Sequence, residues 1–300
     1  MFEEGQLYAP ITRDNAGDVV VVLGDDHPGV SDEAYRSRRN AIAAAATDWS
    51  PGQPLPVVEY TDDEHDVWRT VCHELQPLHR RLACNEFLIA QQALGLPTER
   101  IPQLTEVSGL VSAHTGFTYH PAAGLVPLRD FYGSLADGVF HSTQYIRHHS
   151  VPLYTPEPDV IHEVVGHGNT LASDRFAHLY RAAGAAARRV ETTEALEFVS
   201  KVFWFSLEFG VLREDGRVKA YGAGLLSSFG EIQEMHRAVL EPLNIARMGT
   251  QKYDITHYQP ILFCAASFAE VEDVVGGFFD DVSDDSIARL DAEQVTVAAE

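Results

Sequence analysis

Two histidines and a glutamate in one short segment are the residues best suited to metal chemistry. His162, Glu163 and His167 follow one another within residues 158–167. Zinc hydrolases of the His-Glu-x-x-His type place their histidines four residues apart, about 40° apart around a helix. Here the spacing is five residues, or ~140° on an ideal helix, so a shared ion requires a distorted helix end, which Gly166 would supply. The alternatives are a zinc hydrolase built on these three residues, or one buried and one solvated histidine without a metal.

A lone carboxylate in an apolar run adds a third candidate ligand. Glu208 is the one charged residue between Val202 and Leu212. Burying an ionised glutamate without a partner is very costly, so Glu208 must be paired, protonated or bound to a metal. Two histidines and one carboxylate with open positions form the facial triad of non-haem iron(II) oxygenases. The competing interpretation is a buried ion pair between Glu208 and an arginine such as Arg147.

Helical periodicity places these residues in a mostly α-helical domain. Thr61 and Glu64 form a capping box ahead of an amphipathic helix, and Pro158 is expected at the first position of the helix that carries the histidines. The predicted helices lie at residues 32–48, 61–82, 85–94, 130–147, 158–167, 173–188, 193–209 and 227–242.

Strand-like segments are few and short. The clearest β-hairpin runs from Val211 to Tyr221 and turns at Asp215-Gly216, a pair suited to a type I′ turn. We expect one catalytic domain over residues 21–278. A loop-rich lead-in (1–20) precedes it, and an acidic tail (279–300) follows it.

Composition excludes several classes of partner. The 300 residues include 44 acidic and 22 basic side chains, a net charge of −22, which disfavours binding to nucleic acid or to an anionic membrane. No apolar run reaches the ~18 residues of a membrane span, the N-terminus does not resemble a signal peptide, and the three cysteines are scattered. The expectation is a cytoplasmic protein.

Three of the histidines are expected to be solvated, because they stand in polar surroundings: His27, His65 and His236.

Several longer motifs occur in a fixed order along the chain. They include His27-Pro28-Gly29, Thr143 to His148, Tyr154 to Asp159, Trp204 to Gly210 and Tyr258-Gln259-Pro260. In sequence and order they resemble the catalytic domain of the pterin-dependent aromatic amino acid hydroxylases, over roughly residues 20–278. The resemblance implies a mostly α domain with short strands. It also implies a monooxygenase that uses iron(II), tetrahydrobiopterin or a related tetrahydropterin, and O2.

The resemblance also assigns a role to individual residues. The iron ligands would be His162, His167 and Glu208, with Ser227 orienting the first histidine. The pterin would contact Phe131, Leu125, Val126 and Glu163, the last assisting its chemistry. The amino acid carboxylate would bind Arg147, supported by Thr155 and Asp159. The substrate ring would meet His141, Pro158, Trp204 and Ile255.

The substrate expected from the resemblance is phenylalanine, hydroxylated to tyrosine. Ile255 would offer an aliphatic wall with no partner for a phenol, which disfavours tyrosine as a substrate. Hydroxylation of tryptophan, or of phenylalanine at the meta carbon, is the alternative. The regulatory domain and tetramerisation helix of animal members have no counterpart in the sequence, so the chain resembles bacterial phenylalanine hydroxylases and is expected to be a monomer or a small homo-oligomer.

Three positions depart from the family pattern. Phe203 stands where a tyrosine is usual, and Gly168-Asn169-Thr170 replaces an apolar stretch. His149 replaces a small residue after Arg147-His148. These changes lie near the expected pocket and leave open both the position of hydroxylation and the ring that is accepted.

Overall fold

Helices make up most of the structure, a computed structural model that describes residues 10–254 and 257–290. In chain order they are α1 (Glu33–Asp48), α2 (Asp62–Leu82), α3 (Asn85–Leu94), α4 (Leu104–Thr115), α5 (Leu128–Ala136), α6 (Asn169–Leu171), α7 (Asp174–Arg189), α8 (Thr193–Phe203), α9 (Ala223–Ser227), α10 (Phe229–Glu234), α11 (Ile245–Thr250), α12 (Phe268–Glu270) and α13 (Gly277–Asp281). Residues 284–290 are also helical. The prediction of a mostly α fold is confirmed.

Three segments are π-helical, which means that their backbone hydrogen bonds join residues i and i+5. They are π1 (His162–Gly168), π2 (Trp204–Glu208) and π3 (Val271–Gly276), and a short 3₁₀ turn covers Met235–Arg237. π1 runs directly into α6, and π2 continues α8. Both candidate metal-binding segments of the sequence therefore lie in this rare, wider helix.

Within residues 10–254 and 257–290, eight short strands form three small sheets. They are β1 (Ile11–Arg13), β2 (Val19–Val21), β3 (Thr118–Pro121), β4 (Val139–Ser142), β5 (Val211–Glu214), β6 (Arg217–Ala220), β7 (Val239–Pro242) and β8 (Ile261–Ala265). β1 pairs antiparallel with β2, and β3 pairs parallel with β4. The third sheet has the order β6-β5-β8-β7, in which only the β5–β6 pair is antiparallel.

Local sequence signals with a clear mechanism are confirmed. The side chain of Thr61 accepts a hydrogen bond from the Glu64 backbone N–H, and the Glu64 carboxylate accepts one from the Thr61 N–H, which completes the capping box. The hairpin turns at Asp215 (φ 49°) and Gly216 (φ 72°), both left-handed as a type I′ turn requires.

Other helix predictions are wrong. The segment 130–147 is helical only to Ala136, because the residues that follow form β4 and pair with β3. The segment 227–242 breaks into short helices and then β7, whose partner is β8. Sheet pairing, which periodicity does not reveal, outweighs local helical preference in both places. The α4 helix was not predicted.

The start of the helix with the two histidines also differs from the prediction. Pro158 is not its first residue, since helical structure begins at residue 160. Asp159 precedes it and accepts a hydrogen bond from the His162 N–H at 3.3 Å. A carboxylate at this point satisfies an otherwise unpaired amide of the first turn.

One large apolar core holds most of these elements together. It continues past the predicted start of the acidic tail at residue 279, because Phe279, Val282 and Ile287 are buried in it. A smaller cluster joins β2 to α1 through Val19, Val21 and Ala43. Over the described residues, no helix combines the length and apolar character needed to cross a membrane.

The contact between α5 and α7 depends on a residue without a side chain. A Cβ atom placed on Gly184 would lie 2.2 Å from the Ala136 backbone nitrogen and 2.8 Å from the Leu135 carbonyl carbon. Backbone atoms cannot rotate away as a side chain can, so the two helices would have to separate.

We therefore predict that Gly184→Ala lowers the free energy of unfolding by about 1–3 kcal/mol or more, the usual cost of overpacking. Gly109→Ala is the matched control, because it also lies within a helix but a Cβ there would have nothing within 4 Å. The control is expected to be neutral or stabilising by up to about 1 kcal/mol. Denaturant unfolding of both variants tests this, and equal stabilities would contradict it.

Candidate active site

The π1 helix brings the two histidines together. The Nε2 atoms of His162 and His167 are 3.0 Å apart. In a helix with i to i+5 hydrogen bonds, residues five apart lie on nearly the same face, so the spacing that does not suit an α-helix suits this one. Gly166 lies inside π1 and not at a helix end, so the expectation of a helix end there is wrong.

Glu208 reaches the same point from the last residue of π2. Its Oε1 atom is 3.0 Å from His167 Nε2, and its Oε2 atom is 3.7 Å from His162 Nε2. The alternative of an ion pair between Glu208 and Arg147 is wrong, because Arg147 pairs with Asp159.

Hydroxyl groups behind the first histidine determine which of its nitrogens carries the proton. The Ser227 hydroxyl donates to the Ala223 carbonyl at 2.8 Å, so its oxygen is left to accept from His162 Nδ1–H at 3.0 Å. Burial first, and then His167, lower the pKa of His162 to about 4, so the ring is neutral. Its Nε2 therefore presents a lone pair to the centre.

The second histidine has an equivalent support. The Thr170 hydroxyl donates to the His167 carbonyl at 2.9 Å and can then accept from Tyr180. The Tyr180 oxygen in turn accepts from His167 Nδ1–H at 2.8 Å. The two Nε2 atoms thus face each other at 3.0 Å, beside a carboxylate, and this arrangement suits a cation that lies between them.

The donor set fits a metal ion on both distance and chemistry. Two ligand atoms that bind one metal ion at right angles, each about 2.1 Å from the ion, lie about 3.0 Å apart. This distance matches the separations of His167 Nε2 from His162 Nε2 and from Glu208 Oε1. Imidazoles held through Nδ1 by a second group are the usual form of histidine ligands. The arrangement leaves one side of the centre open.

A second buried glutamate lies beside these atoms. The ligand atoms of Glu163, His162 and His167 lie within 4.8 Å of one another, and Thr143 donates to Glu163 Oε1 at 3.3 Å. Burial first, and then the charge of Glu208, raise the pKa of Glu163 well above its usual range. Burial also raises the pKa of Glu208, but the neighbouring His167 and His162 lower it by more, so the pKa of Glu208 is lowered overall. Glu208 is therefore the more acidic of the two carboxyl groups and the better candidate for an anionic ligand.

A bidentate ion pair lies next to the histidines. Arg147 donates from Nε to Asp159 Oδ2 at 2.8 Å and from Nη2 to Oδ1 at 2.9 Å. Both side chains are buried. The pair holds the guanidinium plane in place, and over the described residues Nη1 has no protein acceptor. Thr155, which donates to the Glu157 carbonyl at 2.8 Å, shapes the adjoining turn.

Aromatic rings connect the expected pterin residues to the histidine cluster. Phe131 is half-buried, and its ring centroid is 5.7 Å from that of Phe140. The Phe140 ring is 4.6 Å from that of His167. Leu125 is 50% exposed and Val126 is half-buried, both in the segment that precedes α5.

The residues expected around the substrate ring lie on four different segments. Trp204 starts π2 and stacks on Tyr253 with ring centroids 4.3 Å apart. His141 lies in β4, with its Nδ1 3.1 Å from Ser134 Oγ. The Pro158 carbonyl accepts a hydrogen bond from the Tyr145 hydroxyl. Ile255 lies outside the described residues.

Sequence reasoning missed several polar partners. Tyr180, which supports His167, is a buried tyrosine on an alanine-rich helix, and a buried phenol needs a hydrogen-bond partner. The need for such a partner was the feature of the sequence that could have indicated a role for Tyr180.

The prediction that His27 is solvated is wrong, because it is 3% exposed with Nε2 3.3 Å from the carboxylate of Glu157. Arg39 contacts the same carboxylate at 2.6 Å.

Close backbone contact sets the distance from π1 to α9. A Cβ atom on Gly166 would lie 2.7 Å from the Ala223 carbonyl oxygen and 3.3 Å from Ser227 Cβ. The missing side chain lets the two backbones approach, and this approach brings the Ser227 hydroxyl within reach of His162.

The fold and the site together define a metal-dependent oxygenase of the two-histidine, one-carboxylate type. Residues 16–298 match the family model for biopterin-dependent aromatic amino acid hydroxylases, and the chain belongs to this family. It is 55% identical over 264 residues to a phenylalanine 3-hydroxylase of Streptomyces coeruleorubidus, covering 88% of this chain and 95% of that one. It is 42% identical over 262 residues to the phenylalanine-4-hydroxylase of Bos taurus, covering 85% of this chain and 58% of the bovine protein.

A solved structure agrees with the fold. The crystal structure of Chromobacterium violaceum phenylalanine hydroxylase, with bound iron(III) and 7,8-dihydrobiopterin, superposes with a TM-score of 0.70 at 26% identity, over 78% of this chain and 90% of that one. The chain is thus a pterin-dependent aromatic amino acid hydroxylase, an oxidoreductase. The zinc hydrolase alternative is left without support.

The two buried glutamates, Glu208 and Glu163, are expected to differ in their importance for iron binding, and this difference is testable. We predict that Glu208→Gln loses iron, with an affinity lowered by more than the roughly 10–100-fold that removal of an outer partner costs. Glu163→Gln, which has the same shape change, is expected to keep its iron. Iron content after dialysis, measured by mass spectrometry, decides this. Equal retention by both variants would remove Glu208 from the ligand set.

Proposed function

We propose that this chain hydroxylates the ring of L-phenylalanine at carbon 3, with iron(II), a tetrahydropterin and O2. The observation that carries the metal-dependent part is the pair of histidine Nε2 atoms 3.0 Å apart, with the Glu208 carboxylate beside them. When bound, iron and the pterin supply the activation of O2 and the electrons that the reaction consumes.

The metal would be held by His162, His167 and Glu208. Ser227 and Tyr180 would fix the two imidazoles through their Nδ1 atoms. Because this support exists in the folded chain itself, little reorganisation is needed when the ion binds.

The amino acid carboxylate would bind Arg147. Asp159 uses Nε and Nη2 of the guanidinium, so Nη1 remains to donate to a substrate anion. Asp159 also accepts from the His162 N–H, which links the substrate anchor to the first metal ligand through one carboxylate. Thr155 would support the same end of the pocket from the adjoining turn.

The pterin would stack on Phe131, with Leu125 and Val126 along its edge. A half-exposed leucine beside a half-buried aromatic ring offers an apolar surface that a flat heterocycle can cover. Glu163, whose pKa is raised by burial and then by the charge of Glu208, would place its carboxyl group near the pterin.

The substrate ring would lie among Trp204, His141 and Pro158, with Ile255 as its aliphatic wall. A phenol buried against the aliphatic Ile255 would lose its hydrogen bonds to water, at a cost of about 1–3 kcal/mol. This favours phenylalanine over tyrosine. The bulk of Trp204 leaves less room for the larger ring of tryptophan.

The ring position rests on two relatives. The 55% identity to a phenylalanine 3-hydroxylase supports carbon 3. The 42% identity to phenylalanine-4-hydroxylases supports carbon 4, our first expectation from sequence, and it remains the second candidate. The departure at Phe203 bears on this choice, because its ring packs against that of Tyr180, the partner of His167, with ring centroids 5.3 Å apart.

Cytoplasmic location, domain limits and a small oligomeric state stay predictions.

Product identification tests the proposal. Purified protein with Fe(II), tetrahydropterin, O2 and L-phenylalanine is expected to give mainly meta-tyrosine, separated from para-tyrosine by chromatography. Tryptophan at equal concentration is expected to react with a lower kcat/KM. Mainly para-tyrosine would favour the second candidate. No hydroxylated product from any aromatic amino acid would overturn the proposed function.

Arg147→Lys tests the substrate anchor. Lysine keeps a positive charge beside buried Asp159, whereas alanine would leave that carboxylate unpaired. We predict that KM for phenylalanine rises about 10-fold to 100-fold, the equivalent of one charged hydrogen bond, while KM for the pterin changes little. A parallel rise in both constants would point to a structural role for Arg147.

A further inference from the structure

A second group of metal-ligating side chains lies apart from the histidines of π1. It consists of Asp32, His148 and His149, with one ligand atom from each lying within 4.8 Å of the others. Asp32 is the N-cap of α1, and the two histidines directly follow Arg147 in the chain. His149 departs from the family pattern, and none of the roles assigned above to individual residues falls on it.

The separations suit one shared ion. His148 Nε2 is 3.3 Å from Asp32 Oδ2, and the two imidazole rings have their centroids 4.3 Å apart. Two ligands of a tetrahedral zinc ion, with bonds of 2.0–2.2 Å, are about 3.3–3.5 Å apart. The same distance fits a simple hydrogen bond between His148 and Asp32, but that bond leaves His149 unexplained.

The other atoms of two of these groups are already engaged. Asp32 Oδ1 accepts from the Tyr35 N–H at 3.0 Å, which leaves Oδ2 to face the histidines. The Ser150 hydroxyl lies 2.7 Å from His148 Nδ1, and the Ser150 backbone N–H donates to the same nitrogen at 3.3 Å, so the ring is held from behind while Nε2 points at Asp32. Binding of an ion at Nε2 requires the ring proton on Nδ1, where the Ser150 hydroxyl can accept it.

Burial and charge allow an ion to enter. His148 is buried, Asp32 is partly buried and His149 is exposed, so the cluster has an inner wall and a side open to water. The N-terminal dipole of α1 acts against a cation. The carboxylates of Asp32 and its neighbour Glu33 offset it, and the net charge of the chain is −22.

We propose that Asp32, His148 and His149 form a second site for a late first-row divalent cation such as Zn²⁺. Two imidazoles and a carboxylate select such ions over Mg²⁺ and Ca²⁺, and water completes the coordination. A bound ion ties the segment after Arg147 to the start of α1.

Calorimetric titration of the iron-loaded full-length protein with Zn²⁺ tests this proposal. One equivalent is expected to bind without release of iron, and to raise the melting temperature as any ligand of the native state does. His149→Ala and Asp32→Asn are each expected to weaken this binding by more than about 100-fold, beyond the loss of an outer partner. Asparagine caps a helix as well as aspartate does, so Asp32→Asn removes the charge and keeps the cap.

His178→Ala is the matched control, because it removes an exposed histidine from α7, away from the cluster, and should bind Zn²⁺ like the wild type. The proposal is overturned if iron-loaded wild-type protein binds no Zn²⁺, which would leave only a hydrogen-bonded pair, or if His149→Ala binds Zn²⁺ as tightly as the wild type. Since the hydroxylase site is occupied by iron throughout, either result leaves the proposed function unaffected.

Discussion

The active site depends on a change of helix type at one point of the chain. Five residues separate His162 from His167, and only a helix with i to i+5 hydrogen bonds places them on one face. The wider helix has poorer packing along its axis, so tertiary contacts must hold it. α9 packs directly against π1, and its Ser227 supports His162. From α7, Tyr180 supports His167.

A second constraint is the neutralisation of charge inside the core. Three buried carboxylates around the site are each compensated by a different kind of partner. Asp159 has the guanidinium of Arg147, and Glu157 has Arg39 and His27. Glu208 has the imidazoles and, in the proposed holoenzyme, iron. The partners of Glu157 and Glu208 come from distant parts of the chain, so these carboxylates are compensated only when the domain is folded.

The sequence predicted which side chains lie together in the candidate site more reliably than it predicted the elements around them. Glu208 could be predicted as a candidate because a single carboxylate in an apolar run must have a partner. The helix predicted over 130–147 failed because the partner of β4 is β3, and pairing between strands leaves no local signal. Tyr180 and the burial of His27 were missed for a related reason. A hydrogen bond between segments that are far apart in sequence becomes visible only when the fold is known.

Gly166 has a consequence for how this enzyme can diversify. With the Ala223 carbonyl 2.7 Å from where its Cβ would stand, a larger residue here would move His162 relative to the Ser227 hydroxyl that supports it. The backbone behind the histidines therefore tolerates little change. New substrate preferences are expected to arise instead at side chains such as Trp204, which stacks on Tyr253. Libraries for altered ring selectivity are best concentrated there.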